Sequence, residues 1–327
     1  MKRYLTILIM ICLIVNVFLT SCSSQKERMS TVSYSENEVK MPEGVDEVFD
    51  IKQIGKKTVR IVGLNESGTI GTVWDSVDEG RSWTQISTFT RNIKINKTKG
   101  ITTEIAGYLS PKGQIFCVIS EWQEGNDSKH KETYYIVENE QIKKININLA
   151  RVEGGDNGVY NAEFANDGSL IIQDGFGQMY KVNQNTGKVQ FTFLSEQMMD
   201  IFNPFSLYED LMYIYTDKGL KAYSIKTGKE EKVDDSIKDF QGLEKKSIDY
   251  QRANFMVTDM KDDLVVYSID QQGLKLYQNG KVKLLLEGNQ LCLKSGMTSI
   301  YDFIRCDKRG LFLIAQTMNG SKLYHYR

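Results

Sequence analysis

The residues able to do chemistry in this chain are few. There are two histidines, His130 and His325, and five cysteines, Cys12, Cys22, Cys117, Cys292 and Cys306, in 327 residues. Two histidines exclude any mechanism that needs a histidine cluster. No Gly-x-Ser-x-Gly elbow, His-Glu-x-x-His helix, phosphate-binding glycine loop or calcium loop is present, so no catalytic residue and no metal site is assigned. Cys117 sits in Ile-Phe-Cys-Val-Ile and reads as a small buried hydrophobe. Cys292 and Cys306 lack metal-ligand spacing, and their pairing is left open. His130, in the polar insertion 121–132, and His325, near the C-terminus, read as solvated, and that insertion reads as an exposed hairpin tip. The side chains left as ligand contacts are Tyr160, Asp174, Arg252, Asn254, Tyr301 and Asp302. The alternative for each is that it caps a loop or fills a channel.

What selects those six is their place in a repeat. Asp210 to Val233 reads as an apolar strand, a turn at Asp217-Lys-Gly219, a second strand, and a Lys-Thr-Gly-Lys turn into a third. Nearly the same sequence occurs from Asp167 to Val189 and from Asp263 to Val282. Short strands joined by Gly, Asp and Asn turns at this period signal the blades of a β-propeller. The apolar anchors of the second strands are Val59, Ile115, Leu170, Leu211, Leu264 and Leu311, spaced 41–56 residues apart. Six blades are expected, with seven as the alternative because 234–249 is unassigned. The last unit stops after three strands, and Val32 to Pro42 is expected to supply its fourth, removing a free sheet edge. A short surface turn of helix is expected within 235–246. With only 3 prolines against 26 glycines, the hairpins are closed by Gly and Asn.

Ser76-Val-Asp78-Glu-Gly80-Arg-Ser82-Trp83 resembles the Asp-box of sialidases and other propellers. The resemblance implies a structural turn: Asp78 caps backbone N–H groups, Gly80 takes a left-handed conformation, and Trp83 packs between blades. It marks fold rather than activity. An active sialidase further implies an Arg-Ile/Leu-Pro motif, which is absent here, and a triad of arginines, for which few stand in comparable strand positions (Arg60, Arg252, Arg305).

Before the repeats, Lys2-Arg3 and an apolar run from Leu5 to Leu19 form a signal-peptide pattern, too short to span a membrane comfortably. The run ends in Leu19-Thr-Ser-Cys22, which resembles the lipobox of bacterial lipoproteins. That resemblance implies lipidation at Cys22 (thioether-linked diacylglycerol, palmitate-type chains), a mature N-terminus there, and a lipid-anchored, extracytoplasmic location at the cell surface. An ordinary signal peptide or a plain membrane anchor is the alternative. Loss of Lys2 and Arg3 with the leader moves the formal charge from −1 to −3, which leaves no footprint for nucleic acid.

These readings give a signal peptide at 1–21, a lipidated tether at 22–31 and an all-β propeller at 32–327. The chain is similar in style to the N-terminal propeller of clostridial solute-binding lipoproteins of ABC transporters, whose closing strand is like Leu323-Tyr-His-Tyr326. That similarity implies a role beside solute uptake, with an ABC transporter as partner. The expected function is non-enzymatic, cofactor-free binding of a glycan, a peptide or an envelope protein at one mouth of the channel. The alternatives are a glycoside hydrolase, which needs two facing carboxylates, and an assembly scaffold of the cell envelope.

Overall fold

The computed structural model describes residues 37–96, 98–123, 126–149, 158–193, 205–216, 218–240, 254–260, 263–270, 273–287, 297–307, 310–317 and 320–326. Every regular element among them is a strand. A two-residue strand, β1 (Asn37–Glu38), comes first. Four-stranded antiparallel meanders follow. The first is β2 (Val45–Ile54), β3 (Thr58–Asn65), β4 (Gly71–Ser76) and β5 (Thr84–Thr88). The second is β6 (Ile101–Leu109), β7 (Ile115–Gln123), β8 (Asn126–Glu138) and β9 (Gln141–Ile145). The third is β10 (Val159–Phe164), β11 (Leu170–Asp174), β12 (Met179–Val182) and β13 (Val189–Phe193). The fourth is β14 (Phe205–Tyr208), β15 (Leu211–Thr216), β16 (Gly219–Ser224) and β17 (Glu230–Glu231). The fifth is β18 (Asn254–Met260), β19 (Asp263–Asp270), β20 (Gly273–Gln278) and β21 (Lys281–Glu287).

Unbroken stretches of chain therefore make five blades, not six or seven. One further four-stranded sheet is composite: β22 (Met297–Asp307), β23 (Gly310–Thr317) and β24 (Gly320–Tyr326) are completed by β1. Asn37 lies opposite His325 and Glu38 opposite Tyr324. The closing strand is thus shorter than Val32 to Pro42, of which 32–36 lie outside the described residues. The six anchors, Val59 to Leu311, each fall in the second strand of a sheet.

Position within the blade explains the local pattern. A second strand is covered on both faces, so β11 (Leu-Ile-Ile-Gln-Asp) is buried throughout, whereas the outermost β17 is wholly exposed. Adjacent sheets pack face to face. Phe89, Leu109 and Cys117 join the first and second; Phe116, Phe164 and Tyr180 join the second and third. Ile171, Phe193 and Met212 join the third and fourth; Tyr213, Phe255 and Tyr277 join the fourth and fifth. Val39, Trp74 and Phe312 join the composite sheet to the first. Strands β18 and β19 meet β22, and β22 meets β2, so the ring is continuous.

Two expectations are corrected here. The stretch 235–239 is a turn without helix, and Ile237 and Phe240 are buried against the fifth sheet rather than lying on the surface. Residues 241–249 lie outside the described residues. Neither histidine is solvated: His325 is 2% exposed and stacks on Phe312 at 4.1 Å, and the His130 side chain is 8% exposed.

Candidate functional site

At the mouth of the ring where β10 begins, polar side chains from two adjacent blades meet. Strand β10 carries a bulge between Val159 and Asn161, and Tyr160 lies at that shift of register against β11. A bulge re-aims the extra side chain, and Tyr160 is 41% exposed. Its backbone is braced from below: the Tyr108 hydroxyl reaches the Tyr160 carbonyl at 3.5 Å. The preceding amide, Val159 N, donates to both oxygens of Glu132, at 3.1 and 2.9 Å.

Glu132 comes from the long β7–β8 hairpin of the neighbouring blade. It also accepts hydrogen bonds from Tyr134 Oη at 2.7 Å and Ser120 Oγ at 3.1 Å. His130 Nε2 lies 3.7 Å from it, and the His130 ring stacks on Trp122 at 3.8 Å between centroids. Burial raises the Glu132 carboxyl above its ordinary range, against the opposing pull of Tyr134, Val159 and His130. The Glu132 and His130 side chains both pack closely over Gly158. A Cβ there would meet Glu132 Oε1 at 2.7 Å and His130 Cε1 at 2.8 Å. The base of the insertion, at Trp122, His130 and Glu132, is thus packed into the wall of the mouth, while its tip at 124 and 125 lies outside the described residues.

Asp174 is at the same mouth, opposite Val159, but presents nothing to a ligand. It is fully buried; Oδ1 accepts from Phe176 N and Gln178 N, both at 2.9 Å, and Oδ2 accepts from Tyr180 Oη at 2.9 Å. Its oxygens close the β11–β12 turn, as an aspartate at a tight turn commonly does. Of the other sequence candidates, Asn254 begins β18, and Tyr301 and Asp302 lie in the irregular stretch of β22 between Ser299 and Phe303. Arg252 lies outside the described residues, as do Cys22 and Cys292.

Two further polar features line the inner strands. Near the start of β2, Glu47 has its carboxyl raised, first by burial and then by Asp46 and Glu104. Toward the far end, Lys52 Nζ of β2 bonds Glu163 Oε1 of β10 at 3.2 Å, passing the intervening blade. No group of three or more His, Cys, Asp or Glu able to hold a metal occurs among the described residues.

The Asp-box lies between β4 and β5. Ser76 Oγ donates to Asp78 Oδ1 at 2.8 Å and accepts from Gly80 N at 2.7 Å. Ser82 supplies its amide to Oδ1 at 2.9 Å and its hydroxyl to Oδ2 at 2.6 Å. The Ser82 hydroxyl above all, then its amide, holds the Asp78 carboxyl down at about 2. Gly80 has φ +85°, and Val39 packs at 3.0 Å from where its Cβ would stand. The box also grips the closing segment. Lys40 N donates to Gly80 O at 3.0 Å, and Trp83 Nε1 donates to Lys40 O at 2.6 Å.

Sequence reasoning missed Glu132. Its signal is the period-2 series His130, Glu132, Tyr134, Ile136 on β8, one face of which ends in the 7%-exposed Ile136.

No protein-family model and no curated protein matches the chain. Among solved structures, "Hadza microbial sialidase Hz136" is similar at 9% identity with a TM-score of 0.52, covering 86% of this chain and 65% of its own. "YCF48 bound to D1 peptide" aligns at 9% identity and TM-score 0.49, over 91% of this chain and 96% of its own. The "WD40 beta propeller domain of Doa1" aligns at 12% identity and TM-score 0.46, over 91% and 97%. At such identities the likeness to the sialidase speaks to fold alone, and that fold is an all-β propeller.

Proposed function

We propose that this chain is a lipid-anchored, extracytoplasmic binding protein whose propeller engages a glycan, a peptide or an envelope protein at the Tyr160 mouth. The ring of five contiguous blades is closed by the composite sheet of β22, β23, β24 and β1, with Cys22 as the lipid attachment and an uptake system as a fitting neighbour. The observation that carries the reading is Tyr160, a large amphipathic side chain held outward on a bulge whose backbone is braced by Glu132 and Tyr108. An aromatic with a polar tip on a fixed backbone suits recognition, because little conformational freedom is lost on contact. The commitment of Asp174 to its own turn and the burial of Glu132 weigh against a pair of facing catalytic carboxylates.

The test is a thermal-shift screen of the full-length chain in detergent against glycans, peptidoglycan fragments and peptides. A ligand at one hundred times its dissociation constant adds about 2.7 kcal/mol of stability. Tyr160→Ala should erase that shift while changing the unliganded melt little, as exposed substitutions alter stability by about 0.5 kcal/mol or less. A shift that survives Tyr160→Ala, or none from any class, refutes the mouth as the site. Separately, labelled palmitate should enter the wild-type chain and not Cys22→Ser.

A further inference from the structure

A recess opens between the first and second sheets, at the end of the second sheet opposite the Trp122–His130 hairpin, bordered there by the β6–β7 and β8–β9 turns. Its volume of about 760 Å³ lies within the range of natural ligand sites. The surface it presents is polar. Val73, Phe89, Ile115 and Val137 line it, but each is no more than 5% exposed and offers a ligand almost nothing, whereas Gln85, Asn92 and Asn139 are exposed. Its charges cancel. Arg60 is held by Asp75, through Nε at 2.7 Å and Nη2 at 2.8 Å, and Arg91 and Lys112 are matched by Glu138 and Glu140.

The polar side chains here are uncommitted. Elsewhere in this chain a turn asparagine caps its own turn: Asn65 Oδ1 accepts from Ile70 N, and Asn183 Oδ1 from Asn185 N and Thr186 N. Among the described residues the side chains of Gln85, Ser87, Asn92 and Asn139 have no hydrogen-bond partner. Their amides and hydroxyl can each donate and accept. Asn139 and Glu140, at φ of 48° and 65°, form a two-residue turn between the paired Glu138 and Gln141, which sets that wall before anything binds. We propose that this recess binds a neutral oligosaccharide. Sugar hydroxyls both donate and accept, as these amides and hydroxyl do, and carry no charge for a balanced lining to reject. An ion meets no uncompensated charge here and a lipid no apolar wall. Ile86, 43% exposed, gives one aliphatic patch for the C–H face of a ring. A peptide fits less well, because its usual grips are a free sheet edge, an apolar or aromatic groove, or an arginine cluster, and this surface is a polar one drawn from the faces of two sheets.

The experiment is binding of the full-length chain in detergent to an array of neutral oligosaccharides, anionic oligosaccharides and short peptides, with calorimetry on the best binder. A neutral oligosaccharide is expected, with an affinity that salt leaves unchanged. Gln85→Ala and Asn139→Gly (glycine keeps the positive φ) should each weaken binding about twofold to tenfold, and together about tenfold or more, without moving the unliganded melt. Tyr160→Ala should leave that binding intact. Binding only by anionic sugars or peptides overturns the proposal, as does an array without binders. So does a neutral sugar whose affinity survives the double variant, and loss of its binding with Tyr160→Ala then assigns it to the channel mouth. A sugar lost with the double variant alone belongs to this recess and says nothing of the mouth, so the two readings fail separately.

Discussion

Replacing Asp78 by alanine tests how the Asp-box works. The substitution removes an acceptor for three hydrogen bonds, from Ser76 Oγ, Ser82 N and Ser82 Oγ. Each is worth about 0.5–1.5 kcal/mol net, and exposure to solvent puts these at the lower end, so the loss is about 1.5–2.5 kcal/mol. For a domain of this size that lowers Tm by about 2–4 °C. Because the box holds Lys40 through Gly80 and Trp83, faster hydrogen exchange is expected at the β1–β24 seam before the other sheets. The pH dependence has a defined sign. The folded-state pKa of Asp78 is depressed to about 2, so its contribution is present above the ordinary carboxylate range and is lost as pH falls toward 2. The gap in stability between wild type and Asp78→Ala should therefore be constant from pH 7 to about 5 and narrow below about 4. Calorimetry or circular-dichroism melts across that range measure it. A gap that persists unchanged to pH 2, or exchange that quickens evenly over all blades, refutes the reasoning.

Glu132 should behave with the opposite sign. Its pKa is raised in the fold, so the stability it contributes falls as pH rises through the folded value, and Glu132→Gln should flatten that part of the pH profile in denaturant titrations. The Lys52–Glu163 pair has side chains only 10% and 14% exposed. Lys52→Met alone should cost about 2–4 kcal/mol by removing a partly buried partner of Glu163, and Lys52→Met with Glu163→Leu should recover part of it in a double-mutant cycle. Gly63→Ala places a Cβ 2.0 Å from the backbone oxygen of Glu47, whereas Gly55, at φ +69°, has nothing within 4 Å of its Cβ position. Gly63→Ala should cost about 3 kcal/mol or prevent folding, and Gly55→Ala only about 1–2 kcal/mol, measured by urea unfolding.

The blade repeat was legible because second strands are buried on both faces, and Val59, Ile115, Leu170, Leu211, Leu264 and Leu311 stand out against polar turns. The Asp-box was legible because its chemistry is local, closed within the seven residues from Ser76 to Ser82. Its grip on Lys40 was not, since nothing in a turn motif names a partner 40 residues upstream. Asp174 failed as a ligand contact for the same reason that it attracted notice: an aspartate before Gly-x-Gly caps a turn as readily as it faces a channel. Glu132 was overlooked because the charged residues around it suggest solvent. Its partner Tyr134 lies two residues along the same face of β8, but Val159 comes from another blade, and only tertiary packing brings that amide to it.

The composite sheet sets an order of events for a chain that leaves the ribosome, or crosses a membrane, N-terminus first. The partners of β1 are Tyr324 and His325, and Asn37 and His325 are 288 positions apart. Contacts of such separation are slow to form, while each four-strand meander needs only near neighbours. The five contiguous blades can therefore assemble one after another as the chain emerges, and β1 must wait, its edge open, until β24 arrives. Through that interval the Asp-box is already made, because all of it lies in the first blade. It can hold Val39 and Lys40 in place while the rest of the ring is still being delivered. A chain interrupted late would keep five sound blades and an unfilled seam, the kind of open edge that a neighbouring molecule's closing strand could occupy instead.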